Sequence, residues 1–135
     1  MFRLTREVRF AVNAQPEGRR AVTNAFSGYP SLNGLGHYFS LEVTVAGELQ
    51  SESHYLLNIK DIDQAVRERA IILVEEIVRK RPGDFGASML NELFERLKNT
   101  WAGATLEKLL FKLSPFLSIS ILSSERPMTR LSQKF

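Results

Sequence analysis

The run Gly34-Leu35-Gly36-His37-Tyr38-Phe39-Ser40-Leu41-Glu42-Val43-Thr44-Val45-Ala46-Gly47-Glu48 decides how this chain is read. It opens as a Gly-rich turn. From Leu41 onward apolar and polar residues alternate, the pattern of a strand with one face buried. The turn therefore delivers His37 to the start of a strand. An imidazole there can ligate a metal, but a catalytic zinc takes three protein ligands, so function turns on whether the others exist. Gly34-Leu35-Gly36 is no nucleotide fingerprint, because it lacks the third glycine and the strand-before, helix-after setting.

Two further segments alternate in the same way. Phe2, Leu4, Val8, Phe10 and Val12 mark a strand before the turn, and Leu117, Ile119 and Ile121, separated by serines, mark one near the end. Tyr55, Leu57 and Ile59 suggest a fourth, joined to the second strand as a hairpin through the polar residues 47–53. Between these strands the period becomes helical. Asp61 or Lys60 opens a helix whose apolar positions run from Ile62 to Val78 and which Pro82-Gly83 stops. Met89, Leu90, Leu93, Phe94, Leu97 and Trp101 read as a second helix. Leu106, Leu109, Leu110 and Leu113 read as a third, separated by Gly103 and ended by Pro115. A hairpin followed by helices predicts an α+β domain with an antiparallel sheet covered by helices on one face. The segment from Asn13 to Leu32 is too long for a hairpin turn and reads as a long loop.

The 135 residues suit one domain, 1–135. The net charge of +3 comes from 18 basic residues nearly balanced by 15 acidic ones, interleaved as in Arg67-Glu68-Arg69. Nucleic-acid binding needs a clustered patch, and the densest cluster, Arg79-Lys80-Arg81, sits where a helix C-terminus favours cations anyway. No nucleic-acid partner is expected. No apolar run is long enough to span a bilayer, and no apolar signal core opens the chain. The expectation is a cytoplasmic protein with no membrane partner. The chain has no cysteine, which excludes disulfides, thiolate zinc sites and a thiol nucleophile.

Gly36 to Glu48, followed by Leu57-Asn58-Ile59-Lys60-Asp61-Ile62, resembles the 6-pyruvoyl-tetrahydropterin synthase and 6-carboxytetrahydropterin synthase family. That family has a His-Gly-His motif entering a strand and a later hydrophobic-Asn-hydrophobic segment opening a helix. The resemblance implies the tunnelling fold, a four-stranded antiparallel sheet with two or three helices packed on one face. It also implies self-association into a trimer or a hexamer of two trimers, with active sites between subunits. The implied chemistry is zinc-dependent lyase chemistry on a dihydroneopterin triphosphate type of substrate.

Carried over residue by residue, the resemblance implies a loss of that chemistry. Asn13 stands where the first zinc histidine is expected, and an amide is a poor ligand beside imidazole. Leu35-Gly36-His37 replaces the His-Gly-His pair, so one ligand of three remains. Gly86-Ala87 stands where an Asp-His proton-handling pair is expected, and the catalytic cysteine is missing. The only other histidine, His54, is expected about 36 Å of strand away from His37, at about 3.3 Å per residue. No zinc or other cofactor is therefore expected, although the family uses zinc. Glu125, after Ser123-Ser124, matches the family's late ring-anchoring glutamate, and a carboxylate can accept two hydrogen bonds from an amino-pyrimidine edge.

The expected site is thus Glu125 and His37 as ring-binding residues, with no catalytic residue and no metal. The expected function is a non-catalytic or altered-function binder of a pterin-like or purine-like small molecule. One alternative is a lyase of the family still active through an altered site. The other is an oligomeric scaffold without ligand, its pocket plugged by side chains such as Leu35 and Met89.

Overall fold

The computed structural model describes residues 1–13, 22–23, 36–52, 54, 56–81 and 86–123, with Asn13, Val22, Thr23, Gly36 and His37 described in backbone only. Five strands form one antiparallel sheet: β1 (Phe2–Asn13), β2 (Val22–Thr23), β3 (Gly36–Gly47), β4 (Ala104–Ser114) and β5 (Leu117–Leu122). Their order across the sheet is β2-β1-β3-β4-β5. The fold class is α+β, as the sequence predicts. Four of the strands are long, and β2 is a two-residue addition inside the segment expected to be loop.

The expected strand over Tyr55, Leu57 and Ile59 is corrected. Tyr55 lies outside the described residues, and Ile59 begins helix α1 (Ile59–Ala65). Asn58 decides this. Its side-chain oxygen accepts from the Lys60 backbone N–H at 2.9 Å, and Asp61 places a carboxylate in the first turn. Both satisfy a helix N-terminus and do nothing for a strand. Instead of the expected hairpin, β3 pairs with β1 on one side and β4 on the other.

The expected third helix over Leu106–Leu113 is corrected as well, because those residues form β4. A bulge explains the false helical period. Thr44 pairs with Lys108 and Val45 with Leu106, which leaves Glu107 as an extra residue. With that residue inserted, Leu106 and Leu109 share the buried face although they are three apart. The spacing 106, 109, 110, 113 imitates a helix, but only Leu106, Leu109 and Phe111 are fully inside.

Helix α1 runs through a π-helical turn (Val66–Ala70) into α2 (Ile71–Lys80), and α3 (Ala87–Leu97) follows. Ile71, Leu73, Val74 and Ile77 of α2, with Met89, Leu90, Leu93, Phe94 and Leu97 of α3, form buried stripes at helical spacing. They join the inward residues of β1, β3 and β4 in a single core. Trp101, expected at the end of the second helix, lies beyond α3. Its indole N–H donates to the Asp61 carbonyl at 3.3 Å, tying the α3–β4 turn to α1. That turn needs Gly103, whose φ is 79°. It also needs Gly47, where a Cβ would stand 2.5 Å from the Gly103 carbonyl oxygen.

Arg6 interrupts the inward apolar row of β1. It reaches Asp63 of α1 through two parallel bonds of 2.8 Å, from Nε and a terminal guanidinium nitrogen to the two carboxylate oxygens. The helix layer is therefore docked on the sheet by charge as well as by apolar contact.

Candidate functional site

The start of β3 places His37 at one end of the sheet. Gly36 is opposite Asn13, and His37 is opposite Val12. The backbone thus gathers two of the three positions read as zinc positions. The third, Leu35, and the ring-anchoring position Glu125 lie outside the described residues. His54 follows the far end of β3, with a left-handed φ of 61° and its N–H donated to the Gln50 carbonyl at 2.9 Å. Leu56, two residues on, packs at Gly47. Ten strand residues separate His37 from Gly47, roughly 33 Å at 3.3 Å per residue. The backbone thus sets positions 37 and 54 at opposite ends of β3.

Two imidazoles and no thiolate are a poor donor set for zinc. Among the described residues no group of three or more His, Asp or Glu side chains is placed to hold a metal. Gly86 and Ala87 open α3, and neither carries a group that can move a proton. Met89 belongs to the core and does not line the cavity at this end of the sheet.

That cavity holds about 360 Å³ and is lined by Tyr38, Phe39, Ser40, Lys112, Ser114 and Pro115. Its walls follow from strand alternation. Phe39 points inward and joins Phe10 and Phe111, with ring centroids 5.2 to 6.4 Å apart. This cluster stiffens the wall from behind. Tyr38 remains 41% exposed at the mouth. Across from them the β4–β5 turn is fixed by the Phe116 N–H donating to the Ser114 hydroxyl at 3.2 Å.

Ser40 sits inside the cavity. It is the one buried polar residue of the described chain, 3% exposed, and its hydroxyl lies beside the Glu7 carboxylate, which it helps to keep ionised. Beside it, on the sheet face away from the helices, lies a charged group. The Glu7 carboxylate accepts from Arg9 at 3.3 Å and stands 3.6 Å from the Lys112 ammonium, which is 4.0 Å from Glu42. Burial pushes the Glu7 carboxyl up. The Ser40 hydroxyl, Arg9 and Lys112 outweigh that, and the group ends below its ordinary value. Glu7 is thus a fixed anion, not a general base held near neutrality.

A second concavity of about 400 Å³ lies between α1 and the α3–β4 turn. Its polar groups already satisfy one another. Arg69 donates to the Thr100 hydroxyl at 2.7 Å, and Gln64 donates to Glu68 at 3.1 Å. The first cavity differs in its mainly apolar walls.

Ser40, Lys112, Ser114 and Pro115 were not legible as site residues. The last three lie on or beside a segment whose bulge disguised it as a helix. Ser40 falls on the polar side of an alternating strand, where a serine is unremarkable. Nothing in the sequence marks the Arg6–Asp63 pair.

No protein-family model matches the chain, and no curated protein matches it. Among solved structures it is similar to the Caenorhabditis elegans 6-pyruvoyl tetrahydropterin synthase, with a TM-score of 0.47 and 18% sequence identity. The match covers 90% of this chain and 96% of that one. It assigns no role to any residue here.

Proposed function

We propose that this protein binds a planar pterin-like or purine-like ring in the cavity at the Gly36 end of the sheet, without zinc-dependent lyase chemistry. The observation that carries the reading is the cavity itself. A space of about 360 Å³ walled by Tyr38, Phe39 and Pro115, with two serines and a lysine among its lining residues, suits a small flat heterocycle. His37 enters β3 next to Tyr38, and Glu125 supplies the carboxylate that pairs with the amino-pyrimidine edge. The chemistry lacks its parts, since the chain holds two histidines and no cysteine. Asn13, Leu35, Gly86 and Ala87 stand where ligands and proton carriers are expected.

The protein works as a closed ring of copies, as a trimer or a hexamer. Two free sheet edges favour this. Among the described residues, β5 pairs only with β4, and β1 from Phe2 to Val8 pairs only with β3. The two edges run antiparallel to each other, so one copy's β5 continues onto the next copy's β1. Phe2 and Leu117 at these edges are more than half exposed, and a neighbouring copy covers them. Light scattering at micromolar concentration checks this, and a monomer contradicts it.

Thermal-shift titration with pterin and guanosine tests the binding. The expected result is a concentration-dependent rise in Tm for the wild type that is reduced in Glu125→Ala. No rise, or an unchanged rise in the variant, overturns the proposal.

A further inference from the structure

We infer that Lys112 decides which ring the cavity accepts, by donating a hydrogen bond from its ammonium to a lactam carbonyl oxygen of the occupant. The inference rests on the ring-binding reading for the presence of a ring. It adds the chemical group that the ring must carry.

The position of Lys112 follows from strand alternation. Phe111 points into the core, so the next residue of β4 stands on the sheet face away from the helices. There Lys112 is paired with Ser40 of β3 and Ser118 of β5. Among the described residues it is the only charged one that lines the cavity, whose other walls are two aromatic rings, a proline and two serines. Its side chain is 41% exposed, so an entering molecule can reach it. In a pocket of mainly apolar walls, a small number of polar groups fixes the orientation of the ligand. Tyr38 and Pro115 offer a ring its contact area and no choice between rings of the same size. The ammonium offers that choice.

Its neighbours leave it able to donate. An ammonium has three N–H donors and no acceptor. Nζ stands 3.6 Å from Glu7 and 4.0 Å from Glu42, ion-pair distances longer than a hydrogen bond. An oxygen in the cavity therefore takes a proton without displacing a hydrogen bond that either carboxylate holds. The same carboxylates select a neutral oxygen over an anion. Arg9 and Lys112 are balanced by Glu7 and Glu42, and Glu7 is held ionised. A phosphate at Lys112 would meet both negative groups together with the one ammonium. A carbonyl brings an acceptor and no charge.

The test compares pterin with 4-thiopterin, which differ by one atom, sulfur for the lactam oxygen. Both keep the N–H and amino groups of the edge assigned to Glu125. Affinities for the full-length protein are measured by calorimetric titration. Sulfur is a weak acceptor, and wild type is expected to bind pterin about fivefold more tightly, the effect of weakening one hydrogen bond to a charged group. Lys112→Met is expected to bind the two rings alike, and Lys112→Arg to retain the preference. A lysine that only supports the fold would change both affinities together and leave their ratio as it was. Equal binding by wild type overturns the assignment, and so does a preference that survives in Lys112→Met; ring binding itself stands in both cases. The wild-type comparison holds whether or not a variant folds. Binding of neither ring removes this assignment and the ring-binding reading together.

Discussion

Replacing Asp63 by asparagine removes the charge that Arg6 faces and leaves the shape of the side chain intact. The two bonds measure 2.8 Å each, and the side chains are only 19% and 26% exposed. Fully exposed pairs contribute about 0.2–1 kcal/mol, and breaking a fully buried one costs about 3–5 kcal/mol. A pair with a fifth to a quarter of its surface in water falls between, near 2 kcal/mol. An unfolding entropy of roughly 2.1 cal/mol/K per residue gives about 0.28 kcal/mol/K for 135 residues, so Asp63→Asn is expected to lower Tm by about 7 °C. The hydrogen bond to Asp63 raises the Arg6 pKa further, against an opposing effect of burial. Arg6 therefore keeps its charge throughout the ordinary pH range, and the effect of the mutation does not fade toward pH 9. Calorimetry of Asp63→Asn, Arg6→Met and the double variant provides the assay. The double variant should lose about 1–1.5 kcal/mol less than the two singles added together. Strict additivity, or an Asp63→Asn Tm within about 1 °C of wild type, refutes the claim that this pair docks the helix layer.

Phe111→Ala removes the ring at the centre of the aromatic cluster and should cost about 3–5 kcal/mol in denaturant unfolding. A cost below about 1 kcal/mol contradicts β4 as a core strand. Gly47→Ala forces a Cβ against the Gly103 carbonyl and the Leu56 side chain and should cost about 1–3 kcal/mol, seen as a lower urea midpoint at unchanged slope. Glu7 has a depressed folded-state pKa, so its stabilisation is fully present above the ordinary value of 4.5 and is lost as pH falls through the lower folded value. The Tm gap between wild type and Glu7→Gln, roughly 2 °C at pH 7, should therefore narrow as the pH falls below 4.5. A gap that widens toward acid contradicts the assignment.

Legibility followed periodicity. β1, β3 and β5 could be read because apolar residues alternate along each, with Arg6 the one interruption in β1, and α2 and α3 because their buried positions recur at helical spacing. β4 was hidden by one residue. Glu107 shifts Leu106 and Leu109 to a separation of three, and no local propensity announces a bulge. The segment around Asn58 was misread because Leu57 and Ile59 alternate, while the cap that governs it is a single side-chain oxygen. His37 was visible as a residue at a strand entrance, and the backbone places it there. The cavity was not visible, because its walls come from β3 and from a strand taken for a helix. The burial of Ser40 beside Glu7 is a property of packing, which the sequence does not display.

Calorimetric titration of pterin into protein held in excess chelator addresses the account at its root. Saturable heat at about one site per chain, unchanged when zinc is restored, is the predicted result. Binding that appears only with zinc, accompanied by one tightly held ion per chain, contradicts it.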